Sequence, residues 1–328
     1  MTPSLSRRIG AALLCAGAAL GALDAAAADS PRCAAAALRA TGDERIRSAI
    51  DEARRQHQLF GGQVIERNGG LFRLGHHEAE WDRNRGDPTP TWERVATFWR
   101  SLSDSEPPRV MTSLGWVARS EVPAGAAAGA NGSQRAEVAT REALLRAAIV
   151  DTPWSAAFLS YLMKAAGFSR AEFEFSDTHA DYVRAALDAS AAEAEGREAT
   201  HAFRACDIAT TPPRAGDLLC ATRDTAVGVA RFDALAAAIA VRATGADFPM
   251  HCDLVVRSDQ GGDAKLEAIG GNVVQSVTLT RMTLNANKVL SAFHVTGAVP
   301  HPGCAGQAQP CPAHLGRRPW VVLLQFRQ

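Results

Sequence analysis

The sequence lacks net charge, is nearly without lysine, and has no long apolar run beyond its first 28 residues. Its 35 Lys and Arg balance its 35 Asp and Glu. No basic run of the kind needed to neutralise phosphates is present, which excludes a nucleic-acid partner. Arginine takes the place of lysine almost throughout, a compositional bias with no chemical consequence. After residue 28 no stretch could fill the roughly 20 apolar residues that a bilayer span requires. No internal repeat is present, so a solenoid or propeller is not expected. The 47% hydrophobic content over 328 residues is enough for one large core or two small ones.

What is present begins with an export signal over residues 1–28. Arg7 and Arg8 precede the apolar "IGAALLCAGAALGAL", and Ala26-Ala27-Ala28 offers small residues for cleavage. Leu14 before Cys15 is too large for a lipidation site. The mature protein is expected to be soluble, without a transmembrane segment, and periplasmic or secreted. Six cysteines then remain, and an even number in an oxidising compartment favours disulfides. Cys304 and Cys311 bracket a Gly/Pro/Gln loop and form the easiest pair. The other four, Cys33, Cys206, Cys220 and Cys252, allow several connectivities. "HPGCAGQAQPCPAH" also suits a zinc site of His301, Cys304, Cys311 and His314. Oxidation of exported thiols favours the disulfide, and neither a metal nor a cofactor is expected.

Periodicity organises the chain. Residues 43–62 and 89–102 read as amphipathic helices, the first with Ile46, Ile50, Ala53 and His57 on one stripe and a stop at Gly61-Gly62. A loop or hairpin lies between them. Its His76-His77-Glu78 run reads as solvated, since adjacent histidines make poor joint ligands. "PAGAAAGANGSQ" is a flexible connection, so residues 29–134 form a mainly helical N-terminal segment and 135–328 a second domain. In the latter, helices come first. Strand signals follow at 216–222, 251–257, 265–269, 273–282, 289–295 and 320–326, with a helix inserted at 232–243. Helices followed by strands predict an α+β fold, with helices packed on a mainly antiparallel sheet.

Within this domain "DTPWSAAFLSYLMKAAGF" reads as a buried helix. Pro153 suits its first position, and Thr152 or Asp151 can cap it. Trp154, Phe158, Leu162 and Ala166 form its apolar face, and Gly167 ends it. Ser155 sits in the first turn, where free N–H groups can hold an oxyanion. His251 opens a strand, and Asn272 follows two glycines at a turn. Nucleophile, base and orienting group are the parts acyl transfer requires. By residue type alone, each reads as a satisfied structural polar group rather than a member of a triad.

At these residues the sequence resembles a family. "PWSAAFLSYLMKAAG", "PRAGDLLCATR", "HCDLVV" and "AIGGNVVQSVTL", in that order, are similar to the amidase and endopeptidase domains of the NlpC and CHAP type in the papain-like superfamily. The nearest resemblance is to a bacterial domain-of-unknown-function family (DUF 2272), over roughly residues 140–296. The resemblance implies a papain-like domain with Ser155 at the nucleophile's place, His251 as base and Asn272 as orienting group. The superfamily's nucleophile is Cys. A thiolate–imidazolium pair is not available to a serine hydroxyl, so the base must take its proton during attack.

Four further residues border this constellation. Asp253 shares a strand face with His251 and competes with Asn272 to orient it. His179 is a second histidine for the cleft or a locally bonded helix-start residue. Trp154 adjoins the nucleophile position. Asp217 is expected to shape a strand entry. Cys252 points away from His251 and suits a disulfide with Cys220 or a buried thiol. The implied function is an exported hydrolase acting on peptidoglycan stems or other cell-envelope peptides. The alternative is a non-catalytic envelope protein that binds peptidoglycan or a protein partner through the same cleft.

Overall fold

The computed structural model describes residues 33, 42–83, 86–102, 131–243, 246, 248–296 and 314–327. The expected signal peptide, most of the expected linker, and Cys304 and Cys311 lie outside them. The fold is α+β. The helices are α1 (Glu44–Leu59), α2 (Thr91–Arg100), α3 (Gly132–Asp151), α4 (Ser155–Ala165), α5 (His179–Ala194) and α6 (Phe232–Val241). The strands are β1 (Gln63–Ile65), β2 (Leu71–Arg73), β3 (Phe203–Asp207), β4 (Leu218–Thr222), β5 (Met250–Ser258), β6 (Lys265–Val273), β7 (Ser276–Thr283) and β8 (Trp320–Phe326).

All eight strands form one sheet in the order β2-β1-β7-β6-β5-β4-β8-β3. Every pairing is antiparallel except β1 with β7, which places Gln63 opposite Thr278. Helices α1 and α4 cover the middle of one face, and α5 lies against β3 and β5. Ile46, Ala49, Ile50 and Ala53 recur at helical spacing on α1 and are all buried. They join the same core as α4, so residues 42–83 share a core and a sheet with the C-terminal half. The opposite face buries a second cluster that includes Leu219, Val255, Leu266, Ala268 and Leu323, the alternate residues of the central strands.

Three local expectations change. The segment 289–295 is not a strand; it makes isolated bridges at Leu290, to Leu284, and at Val295, to Arg318, with a short 3-10 turn over Ala292–His294 between them. Strand β3, "FRACD", carries too few β-branched residues to signal itself and is instead held by pairing with β8. Asn272 lies within β6, not at the turn. The register shifts between Gly270 and Val273, and the reversal falls at Val274 and Gln275, with φ of 49° and 59°. Neither residue suits a left-handed backbone. Fully buried Gln63 compensates, because its Nε2 donates to Val273 O at 3.1 Å and Val274 O at 3.2 Å.

Two disulfides close within the described residues. Cys33–Cys206 spans 173 positions of sequence, and Cys220–Cys252 joins directly opposed residues of β4 and β5. No helix among the described residues is long and apolar enough to cross a membrane.

Candidate active site

Helix α4 begins later than its sequence suggests. Pro153 and Trp154 fall in the break after α3, and Ser155 is the first helical residue. No side chain of Asp151 or Thr152 caps it; Trp154 occupies the cap position. Asn272 instead holds the cap residue itself, from across the fold. With its amide turned so that both ends meet a partner, the only orientation its neighbours satisfy, the oxygen accepts from Trp154 N at 3.2 Å and the nitrogen donates to Glu78 Oε2 at 3.0 Å. The same carboxylate oxygen accepts from Trp154 Nε1 at 2.7 Å. Burial pushes the Glu78 carboxyl above its usual range. Trp154, Phe60, Phe98 and Phe158 pack around this point in tilted and edge-to-face pairs and fix the helix entry.

The glycine pair before Asn272 has a steric reason. A Cβ on Gly271 would stand 2.6 Å from Phe158 Cβ and 2.8 Å from Trp154 Cζ3, so only glycine lets α4 reach the sheet. A Cβ on Gly270 would stand 1.8 Å from Asp253 Oδ1 and 3.0 Å from His251 Nε2. That space is taken by the histidine–aspartate pair.

Ser155 Oγ lies 2.6 Å from Nε2 of His179, the first residue of α5. The hydroxyl of Tyr182, one turn along α5, bonds His179 Nδ1. His251 stands behind this pair, with ring centroids 5.4 Å apart and an interplanar angle of 60°. Its Nε2 bonds Asp253 Oδ1 at 2.6 Å, and Arg318 Nη1 donates to Asp253 Oδ2 at 2.9 Å. The expected contacts Ser155–His251 and His251–Asn272 are therefore replaced. His179 takes the place beside the hydroxyl, because the start of α5 is inserted between α4 and β5. Asp253 takes the place beside His251, because alternation on a strand puts residues two apart on one face.

The electrostatics follow from burial. Desolvation pushes His179 well below the usual imidazole range, reinforced by His251, Arg223 and Arg318. His251 is lowered by burial, which outweighs the attraction of Asp253. Burial alone would raise Asp253, but Arg318 and His251 outweigh it and leave the carboxyl below its usual range. Burial, with Asp181 and Asp253 nearby, keeps the Tyr182 phenol neutral. Ser155 and His179 line a cleft of about 430 Å³, whose wall includes Trp99, Thr152, Arg223 and Phe248. The first-turn N–H groups of α4 have no intrahelical acceptors and lie beside the Ser155 hydroxyl.

The remaining expectations resolve simply. Asp217 is fully buried and accepts from Arg214 N at 2.8 Å and Phe326 N at 2.9 Å, tying the entry of β4 to the end of β8. Cys252 faces away from the cleft and is bonded to Cys220. Sequence reasoning did not find Tyr182, Arg318 or Glu78 as parts of this site. Tyr182 had a usable signal, the i,i+3 spacing from His179 on one helix. Arg318 and Glu78 arrive from β8's approach and the β2–α2 loop, with no local mark.

A model of the family described as an uncharacterised protein conserved in bacteria (DUF2272) matches residues 86–326. No curated protein and no solved structure matches the chain.

Proposed function

The chain belongs to that bacterial family, and from this premise we propose that it is an exported cell-envelope hydrolase of papain-like type that opens amide bonds in peptides such as peptidoglycan stems, with Ser155 as nucleophile. The observation that carries the reading is the 2.6 Å contact between Ser155 Oγ and His179 Nε2, at a helix N-terminus in an open cleft. With the imidazole proton on Nδ1, shared with Tyr182, Nε2 accepts from the serine hydroxyl. Attack forms the Oγ–carbon bond as the proton passes to Nε2, and the first-turn N–H groups of α4 receive the oxyanion. Collapse breaks the carbon–nitrogen bond while Nε2 returns the proton to the leaving amine. Water then repeats the sequence on the acyl-enzyme. His251 and Asp253 back the His179 ring, and Asn272 fixes the helix start that presents Ser155.

A second reading is favoured by one observation. Ser155 is only 3% exposed, and its hydroxyl is already engaged under a strongly buried histidine. That arrangement also suits a cleft kept for binding peptidoglycan or a protein partner without turnover. Labelling by a fluorophosphonate probe and release of stem peptides from peptidoglycan separate the two. Catalysis requires that Ser155→Ala abolish both signals. It also requires that His179→Ala lower them by about 100-fold or more, as loss of a general base does, and by more than His251→Ala does. Equal signals from the wild type and Ser155→Ala leave only the binding role. A thiol activity gained by Ser155→Cys would show a scaffold still competent for the superfamily's chemistry.

A further inference from the structure

One edge of the sheet is closed and the other is open. At β3, Ser190 Oγ accepts from Ala205 N at 2.8 Å and donates to Ala205 O at 3.0 Å, and Cys33 is bonded to Cys206. At β2 no strand among the described residues pairs with the outer side. The turn from β1 into β2 is held by bonds from Gly69 N to Glu66 O at 2.7 Å and from Glu66 N to Gly70 O at 2.9 Å. Just past it, Leu71, Phe72 and Leu74 are 37%, 73% and 62% exposed. They are three of the nine large apolar side chains exposed among the described residues, gathered within four consecutive positions. A concentration of this kind marks a surface that meets something other than water. The hairpin also carries Arg67 and Arg73, both exposed and pairing with no carboxylate among the described residues. Its one acid, Glu66, is taken by Arg281 at 2.6 Å. Along the adjoining groove Arg67, Arg257, Lys265 and Arg281 outnumber Glu66, Glu267 and Asp263, so the rim keeps a positive excess.

From this we propose that the β1–β2 hairpin docks the protein on an anionic phospholipid surface, with Phe72 and Leu74 entering the acyl boundary and Arg67 and Arg73 meeting the headgroups. The proposal concerns this surface and not the Ser155 cleft, and it stands whether or not the cleft is catalytic. Exposed apolar side chains flanked by unpaired basic ones are what an interfacial anchor needs, because burial of the first and attraction of the second add. The edge itself argues against strand addition by a second copy. β2 is three residues long, and its register against β1 slips, with Ile65 facing Leu71 and Val64 facing Arg73. Phe72 is thereby the extra residue of a bulge. A short, bulged, arginine-bearing strand is a poor template for another strand. Three apolar side chains also cover far less than the roughly 800 Å² per partner of a stable protein interface.

Vesicle flotation tests this with the chain from residue 29, which keeps every described residue and lacks the apolar leader that would itself enter a bilayer. The probes are vesicles of phosphatidylcholine alone and of phosphatidylcholine with about one-third phosphatidylglycerol. The second are expected to bind the protein at least about tenfold more tightly, and the binding to weaken as salt is raised. Each basic residue near an anionic surface contributes about fivefold, so Arg67→Gln with Arg73→Gln should lower binding about 25-fold. Phe72→Ser with Leu74→Ser should lower it by about tenfold or more, which burial of either side chain alone supports. All four positions are exposed, so both pairs should keep the wild-type Tm, and circular dichroism thereby separates lost docking from a lost fold. No binding to the phosphatidylglycerol vesicles, equal binding to both kinds, or binding that survives either pair of substitutions overturns the proposal. So does dimerisation in vesicle-free sedimentation that Phe72→Ser with Leu74→Ser abolishes, which would assign the patch to a second copy of the chain.

Discussion

The approach of α4 to the sheet rests on one missing methyl group, and Gly271→Ala tests it. The added Cβ would meet Phe158 Cβ at 2.6 Å, Phe158 Cγ at 2.7 Å and Trp154 Cζ3 at 2.8 Å. Ordinary carbon contacts need about 3.5–4.0 Å, so the helix must retreat by close to 1 Å. Phe158 and Trp154 are fully buried and packed against Phe98 on their far side, so neither ring can swing away. Overpacking of this kind costs about 1–3 kcal/mol. For a protein of this size that lowers Tm by roughly 2–5 °C. The retreat also draws Trp154 N from Asn272 and Ser155 from His179, so probe labelling of Ser155 should fall with it. Gly132→Ala is the control, because a Cβ there meets nothing within 4 Å and the residue opens α3. Thermal denaturation followed by circular dichroism reads both variants. A Tm for Gly271→Ala within about 1 °C of the wild type would refute the close packing of α4 on β6.

Two other predictions concern stability. Mild acid should destabilise the fold through its histidines. His179 and His251 are held below the usual range and His294 at about 4, in each case first by burial. The unfolded chain binds protons at these sites below about pH 6.5 while the folded chain resists, so stability is complete above that pH and falls toward pH 4.5. His294 alone contributes at most about 3 kcal/mol to the loss. Glu78 and Asp217, raised by burial, oppose the trend, while Asp253, held low, adds its loss only at lower pH. Urea unfolding at pH 7.5 and 4.5 measures the sum, and equal or greater stability at pH 4.5 contradicts it. The disulfides should differ in value. Loop-closure entropy assigns about 5 kcal/mol to Cys33–Cys206, which spans 173 positions, and about 4 kcal/mol to Cys220–Cys252, which spans 32. Paired alanine substitutions followed by urea unfolding should rank them in that order, and a negligible cost for the first pair would show that the N-terminal tether is dispensable.

Much of the architecture was readable from local patterns. The apolar spacing of Ile46, Ile50 and Ala53, and of Trp154, Phe158 and Leu162, is a property of neighbouring residues and gives α1 and α4 without tertiary knowledge. Alternation placed β5 and β7, and set Asp253 on the same face as His251 and Cys252 on the other. The quoted motifs picked out Ser155, His251, Asp253 and Asn272, and all four lie around the start of α4 or immediately behind it. What local pattern cannot express is which side chain fills the space between two elements. The start of α5 enters between α4 and β5, so His179 meets the hydroxyl and His251 does not. Glu78 and Arg318 reach the site from segments 76 and 65 positions away from their partners. Asn272 serves the helix start because a strand irregularity, stabilised by Gln63 from the distant β1, turns it there. Hydrogen bonds are short-ranged and directional, so a displacement of a few ångströms in packing reassigns them. The sequence determined which residues could carry chemistry, and only the packing of α5 and β6 against α4 decided which of them touch.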